Sequence, residues 1–209
     1  MRFADFDPDA LSAGERHRIY LEVGSHLDGQ PLGVPLLCAH GPAPGPTLVV
    51  LACVHGDEYE GMAAIHEVFR RLEPGRLRGT ILAVPTLNLP AAAAVHRFSP
   101  IDHVNLARVF PGRPDGTVTE RIAYYTDRHL ISRADLLVDL HSAGYQRAPG
   151  LQIGLHLRIA RDLLPAQLDG FRRLIVDDLD ELRRIVHVLQ QLDPHSAQQF
   201  VPWCKRLQL

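Results

Sequence analysis

The sequence has few cysteines, almost no charge imbalance and no long hydrophobic run. Its three cysteines, Cys38, Cys53 and Cys204, are widely spaced and odd in number, which favours reduced thiols in the cytoplasm over a disulfide framework. Lysine and arginine total 22 against 24 aspartates and glutamates, so no charge excess predicts binding to nucleic acid or to an anionic membrane. The acidic N-terminus has no apolar h-region and no run is long enough to span a bilayer, so we expect neither a secretory signal nor a transmembrane helix.

Hydrophobic residues make up 46% of the 209 positions, which is enough for one substantial core. Short apolar runs alternate with stretches of helical period, and the pattern predicts an α/β fold with a mainly parallel or mixed sheet and helices on both faces. The runs read as strands are residues 18–23, 34–39, 48–54, 80–84 and 136–140. The first two form an antiparallel pair around an Asp-Gly turn, and residues 47–84 form a βαβ unit.

The strand of residues 48–54 ends at a turn with the sequence His-Gly-Asp-Glu, residues 55–58. A helical pattern follows it and stops at Pro74-Gly75. Gly56 lets the backbone bend tightly between His55 and Glu58. In open α/β sheets ligands bind outside the carboxyl ends of strands. His55 and Glu58 therefore lie where ligand-binding residues are expected.

A second histidine, His141, stands at the carboxyl end of the strand of residues 136–140. His55, Glu58 and His141 then give two imidazoles and a carboxylate at one edge of the sheet, the ligand set of a catalytic zinc with one open coordination position. Such a zinc activates water and polarises a carbonyl. His-x-x-Glu also arises often by chance, so the spacing alone leaves metal binding a hypothesis. Asp57 either supports the ligands or is an ordinary turn residue.

Residues 85–116, called here the arginine segment, show little periodicity, and structureless stretches of this length inside a domain are usually functional. A helix over residues 117–131 follows, because Thr117 and Glu120 have the spacing of a capping box. The tail of residues 151–209 is rich in Leu, Arg, Gln and Asp. Residues 179–192 predict an amphipathic helix, and no run of alternating strands stands out.

Three motifs in this order, HGDEYEG, NLARVFPG and DLHSAG, resemble the succinylglutamate desuccinylase/aspartoacylase family of zinc carboxypeptidase-like enzymes. Residues 97–123 are most similar to the branch that deacetylates N-acetyl diaminobutyrate. The resemblance covers roughly residues 18–148. It implies a zinc-binding α/β deacylase-like domain over residues 1–150, followed by a divergent, mainly helical tail over residues 151–209.

The resemblance also implies roles for individual residues. His55, Glu58 and His141 would hold one Zn²⁺ per chain. Asn105 and Arg108 would bind substrate, with the planar guanidinium gripping a carboxylate. Arg97 and Arg108 would be the catalytic arginines, Arg97 by stabilising an oxyanion. For each arginine the competing interpretation is a solvated surface charge.

Two departures from the family pattern bear on activity. Ala107 stands where the family usually has an asparagine, which removes an amide from the substrate site. The family's general-base glutamate lies in a T-x-E-x-G-like strand, and no such motif follows His141 here. The only later glutamate is Glu181, in a stretch typical of an exposed helix. The shift in composition near residue 150 predicts that the C-terminal part of the fold is truncated or replaced.

Three functional hypotheses remain open. The first is a zinc-dependent amidohydrolase that removes an acyl group from a small N-acyl amino acid, impaired by the missing glutamate. The second is a non-catalytic zinc-binding remnant or binding module of the same fold. The third is a metallocarboxypeptidase acting on peptides.

Overall fold

The computed structural model describes residues 1–142 in full and, beyond them, the backbone of three short strands at residues 153–156, 158–159 and 173–176. The strands are β1 (Glu15–Ser25), β2 (Pro31–His40), β3 (Ala43–Ala52), β4 (Arg78–Val84), β5 (Leu136–His141), β6 (Ile153–His156), β7 (Arg158–Ile159) and β8 (Arg173–Val176). The helices are α1 (Glu60–Arg71), α2 (Leu89–Ala93) and α3 (Val118–His129). No helix in these described residues is long and apolar enough to cross a membrane.

These strands form one mixed sheet in the order β1-β2-β4-β3-β5-β6-β8, with β7 also paired to β5. The three central strands β4, β3 and β5 are parallel, and the pairs that flank them on both sides are antiparallel. The predicted βαβ unit and the antiparallel β1–β2 pair are both confirmed. Since β3 and β5 are parallel neighbours, their carboxyl ends lie at the same edge of the sheet.

Helices cover both faces of the sheet, as the alternating strand pattern requires. In β3, Leu48 and Val50 pack with Ile65 and Phe69 of α1 on one face. The intervening residues of β3 pack on the opposite face with Ile122 of α3. This period of two buries both sides of the central strands, so the predicted α/β class with helices on both faces is confirmed.

Residues 1–14, which precede β1, are anchored to the core. They contain two short 3₁₀ turns, at Phe3–Asp5 and Pro8–Ala10, before β1 begins at Glu15. Phe3 and Phe6 are buried in the core on the α3 face. Two aromatic side chains therefore hold this otherwise polar stretch against the core.

The arginine segment contains α2 and a 3₁₀ turn at Leu106–Arg108. Its return to the sheet is fixed by Asp102, which accepts hydrogen bonds from the Thr119 N–H and hydroxyl, both at 2.8 Å. The capping box predicted at Thr117 and Glu120 is present at the start of α3. The arginine segment is therefore held at its start by α2 and at its end by the contact of Asp102 with α3.

The three strands after residue 151 extend the sheet beyond β5, which the sequence analysis did not predict. The helix predicted over residues 179–192 and the glutamate at position 181 lie outside the described residues. The division into a domain of residues 1–150 and a mainly helical tail stays a prediction.

Candidate metal centre

Residues 53–58, called here the ligand turn, connect β3 to α1 and carry two of the candidate ligands. Cys53 adopts a left-handed backbone conformation with φ 54°, which is unusual for a residue with a side chain. Its buried thiol donates to the main-chain oxygen of Glu58 at 3.2 Å, and the Glu58 N–H donates to the His55 oxygen at 3.2 Å. Both bonds close the turn, so His55 and Glu58 are held on one side of it.

The turn is also held from outside by α2. A Cβ on Gly56 would lie only 2.1 Å from the main-chain carbon of Ala91, so only glycine fits. The N–H of Asn88, a fully buried residue, donates to the Cys53 oxygen at 3.0 Å. The start of the arginine segment therefore braces the ligand turn, and the glycine is needed for close approach.

His55, Glu58 and His141 converge as the sequence predicted. Nδ1 of His55 lies 2.9 Å from Oε1 of Glu58, and Nδ1 of His141 lies 3.0 Å from Oε2. One donor atom from each residue lies within 4.8 Å of the others, and His55 and Glu58 are only 5% and 3% exposed. Two imidazoles thus face the two oxygens of one buried carboxylate.

Charge and hydrogen bonding shift the pKa values of Glu58 and His141 strongly. Burial alone would raise the pKa of Glu58, but hydrogen bonds and charge from His141 and His55 hold that pKa well below its ordinary value. Burial alone would lower the pKa of His141, but hydrogen bonds to Asp139 and Glu58 raise it to about 10. Without a metal, His141 is therefore a cation paired with carboxylates at neutral pH.

The donor set fits a zinc ion. Donors about 2.1 Å from a tetrahedral zinc lie roughly 3.4 Å apart, whereas the two His–Glu contacts are 2.9 and 3.0 Å and the three donor atoms lie within 4.8 Å of one another. Small shifts away from the carboxylate would accommodate the ion. Nε2 of His55 is buried and has no hydrogen-bond partner among the described residues, so no competing contact directs that ring elsewhere.

Two contacts that β5 and the residue after it make to these side chains were not predicted from the sequence. Oδ2 of Asp139 lies 2.9 Å from Nε2 of His141, and the Ser142 N–H donates to Oε2 of Glu58 at 3.1 Å. The signal for Asp139 was present in the sequence, since an acidic residue inside a buried apolar strand two positions before a histidine lies on the same face. The Ser142 contact is made by the backbone and leaves no mark in side-chain type.

Arg97 reaches this centre. Its Nη1 lies 3.0 Å from Oε1 of Glu58 while its side chain remains 44% exposed. One guanidinium nitrogen thus contacts the carboxylate, and the partly exposed side chain keeps further donors that could serve an anionic or carbonyl group. The contact with Glu58 was not predicted from the sequence.

Arg108 and Asn105 lie in the 3₁₀ turn of the arginine segment. Arg108 is exposed, and within residues 1–142 no ion pair or side-chain hydrogen bond involves it. The Asn105 side chain caps the turn by accepting from the Ala107 N–H at 3.0 Å. Asn105 therefore has a local structural role whether or not it also contacts substrate.

The other acidic residues near the ligand turn are Asp57 and Glu60. Asp57 is partly buried, and its Oδ1 has no partner among the described residues. Glu60, in the first turn of α1, accepts from the Ser142 hydroxyl at 2.5 Å. Neither contacts His55, Glu58 or His141 through a hydrogen bond in residues 1–142, so a supporting role for Asp57 stays a prediction.

Comparisons with known proteins agree on one family. Residues 44–169 match the family described as the succinylglutamate desuccinylase/aspartoacylase catalytic domain. The N-alpha-acetyl-L-2,4-diaminobutyric acid deacetylase of Halomonas elongata is 47% identical over 100 residues, which are 48% of this chain and 29% of that protein.

Solved structures give the same result. A succinylglutamate desuccinylase/aspartoacylase from Rhodobacter sphaeroides matches with TM-score 0.61 and 35% identity over 68% of this chain and 43% of that one. The product-bound ectoine utilization protein EutE of Ruegeria pomeroyi matches with TM-score 0.58 and 40% identity over 64% of this chain and 42% of that one.

The chain thus spans less than a third of the curated relative it matches and under half of each of these two structures. The family match nevertheless covers more than half of the present sequence and contains the whole ligand turn, the arginine segment and β5. This chain belongs to the succinylglutamate desuccinylase/aspartoacylase family.

Proposed function

We propose that this protein is a zinc-dependent hydrolase that removes the acyl group from a small N-acyl amino acid, with catalysis impaired for want of a general-base glutamate of the family type. The observation that supports it most is the convergence of His55, Glu58 and His141 at the carboxyl ends of β3 and β5. Buried His₂Glu sets of this kind hold catalytic zinc and leave one coordination position open.

Nδ1 of His55, Nδ1 of His141 and the carboxylate of Glu58 would hold one zinc ion. When bound there, zinc polarises a carbonyl group and lowers the pKa of water. The protein prepares the site by burying the ligands and by fixing Glu58 through four groups: two imidazoles, the Arg97 guanidinium and the Ser142 N–H. Ligands that need only small shifts bind metal with little ordering cost.

The arginine segment would bind the substrate. Arg108, exposed and free of ion pairs in residues 1–142, would form a bidentate pair with the substrate carboxylate, and Asn105 would contact the substrate beside it. Arg97 sits at the metal ligands, where its guanidinium would stabilise negative charge that develops on the acyl oxygen. Ala107 leaves the substrate without the amide contact that an asparagine would supply.

The substrate class follows from the relatives together with the arginines. The Halomonas elongata protein is named as a deacetylase of an N-acetyl amino acid. An arginine that binds a carboxylate, together with a metal centre that polarises an acyl group, would suit the same kind of ligand. The free, buried thiols of Cys38 and Cys53 fit a cytoplasmic enzyme that acts on such small molecules.

Proton transfer is the weak step. Within residues 1–142, Glu58 is engaged by the two candidate ligand histidines and Arg97, and Glu60 is tied to Ser142. General acid–base catalysis contributes typically ~10²–10⁴-fold, and a chain without a placed base loses about that factor. Whether a general base is placed at the site therefore decides between a slow hydrolase and one with ordinary turnover.

The test is hydrolysis of N-acetyl diaminobutyrate by the zinc-loaded 209-residue protein, with His55→Ala as the control. We expect turnover below the usual enzyme range of roughly 1–10³ per second by about 10²–10⁴-fold, and none above background for the control. Turnover within the usual range would contradict the impairment. Faster cleavage of a C-terminal peptide residue than of the acyl group would favour a metallocarboxypeptidase instead.

A second candidate function is a non-catalytic binding module, favoured by the engagement of both Glu58 and Glu60 by other groups in residues 1–142. It predicts that zinc and the N-acyl amino acid both bind while no product forms over many hours. Calorimetric binding without detectable hydrolysis would establish it, and slow but zinc-dependent product formation would exclude it.

A further inference from the structure

Asp139 is an acidic residue inside an otherwise apolar strand. Its neighbours in β5, Val138 and Leu140, are 0% and 1% exposed. A carboxylate in such surroundings is costly to bury unless it is hydrogen-bonded or paired with a charge. The position therefore requires a partner on the same face of the sheet.

That partner is His141, two residues further along β5. Alternate residues of a strand face the same side, so the two side chains lie next to each other. Oδ2 of Asp139 lies 2.9 Å from Nε2 of His141, and each side chain is 18% exposed. The contact is a charge-assisted hydrogen bond that is largely shielded from bulk water.

This contact decides which nitrogen of His141 is available to a metal. An ionised carboxylate only accepts hydrogen bonds, so Nε2 keeps its hydrogen when a metal binds, and Nδ1 is the nitrogen that gives up its proton and offers its lone pair to the ion. Nδ1 is also the atom that lies 3.0 Å from Oε2 of Glu58. The ring orientation and the available nitrogen therefore both point to the candidate ligand set.

His55 has no equivalent support in the part of the chain that the structure describes. Its Nε2 is buried without a hydrogen-bond partner there, and its ring is 5.2 Å from that of His141 between centroids. His141 thus has a carboxylate at each ring nitrogen, whereas His55 has one at Nδ1, from Glu58.

We infer that Asp139 is a positioning residue that holds His141 in the tautomer and ring orientation that present Nδ1 to a metal ion. The inference rests on the zinc site proposed above and adds the residue that orients its second imidazole. Asp139 acts through His141 and not as a ligand, because its contact is to the nitrogen on the far side of the ring from Glu58.

The test compares Asp139→Asn with Asp135→Asn in the otherwise complete chain. Asp135 immediately precedes the opposite end of β5 and accepts a hydrogen bond from the Thr47 N–H at 2.8 Å. Both substitutions remove one negative charge and weaken one hydrogen bond, but only Asp139 contacts a candidate ligand. Zinc dissociation constants are measured by competition with a chromophoric chelator.

We expect Asp139→Asn to weaken zinc binding by about 10–100-fold, the usual loss when the partner of a ligating histidine is removed. Asp135→Asn should leave zinc affinity within about twofold of the parent, since it lies outside the ligand set. Equal zinc affinity for Asp139→Asn and the parent would overturn the inference. A parent that binds no zinc would overturn the proposed function itself, so the two failures are distinguishable.

A second measurement needs no variant and applies even if Asp139→Asn does not fold. Long-range ¹H–¹⁵N spectra of the zinc-loaded parent report which imidazole nitrogen carries hydrogen. We expect His141 to be protonated at Nε2 and bound through Nδ1. A His141 ring bound through Nε2 would overturn the positioning role, whatever the variant does.

Discussion

The ligand turn and the arginine segment meet at the same centre but are held very differently. His55 and Glu58 are almost fully buried, and every hydrogen bond that closes their turn comes from within the fold. Arg97 keeps 44% of its side chain exposed, and Arg108 is exposed outright. We infer from this contrast that the candidate metal ligands are placed by folding, whereas Arg108 is the guanidinium that an anionic ligand would engage.

Of the substitutions that test this contrast, Gly56→Ala should have the largest effect, because it disturbs the buried ligand turn. The new methyl group would lie 2.1 Å from the main-chain carbon of Ala91, so α2 and the ligand turn would have to separate. We expect a loss of about 3 kcal/mol in the free energy of unfolding, measured by urea denaturation. The control is Gly75→Ala, where a methyl group meets nothing within 4 Å. Equal losses for both variants would show that the turn is not tightly braced.

A smaller and more selective effect is expected for Arg108→Lys. A lysine ammonium cannot reproduce the two-pronged pairing with a carboxylate, so binding of an N-acyl amino acid should weaken about tenfold in calorimetric titration. The amide analogue of the same ligand, which lacks the carboxylate, should be affected much less. As a control, Arg113→Lys alters an arginine that pairs with Glu120. Equal losses for the acid and its amide would remove the carboxylate role.

The smallest expected effect is the release of a proton from His141 when zinc binds. Burial opposes charge on His141, but Asp139 and Glu58 raise its pKa to about 10, so the metal-free protein holds this proton at pH 7. The stabilisation from that proton is complete below the ordinary pKa near 6.5 and is lost as the pH rises through about 10. Zinc must displace it, so binding at pH 7 should release about one proton from this residue.

Calorimetry in two buffers of different protonation enthalpy measures that release. Zinc affinity should also increase with pH up to about 10, since proton competition at His141 falls over that range. Binding that releases no proton at pH 7 would show that His141 is neutral before the metal arrives.

The same contrast explains how much could be predicted from sequence. His55 and His141 follow buried strands whose apolar runs are easily recognised, and parallel pairing puts their ends at one edge. Arg97 lies in an aperiodic stretch, where no pattern fixes which side chain it meets. Its contact with Glu58 depends on the course that the chain takes after α2, which only the folded structure determines.

The residues that support the site are partly predictable from the sequence. Asp139 could have been inferred from its position two residues before His141, but the left-handed backbone of Cys53 could not, since cysteine carries no signal for that conformation. Phe3 and Phe6 were missed because two isolated aromatics in a polar segment show no period, although both fill the core.

The claim at the centre of this account is that the fold itself assembles a zinc site from His55, Glu58 and His141. The direct measurement is zinc content per chain by elemental analysis after equilibration and removal of loosely bound metal, for the parent, His55→Ala and His66→Ala. His66 is an exposed histidine on α1 and serves as the matched control. We expect about one zinc per chain in the parent and in His66→Ala, and far less in His55→Ala because only two ligands remain. Equal zinc content in His55→Ala and the parent would contradict the account.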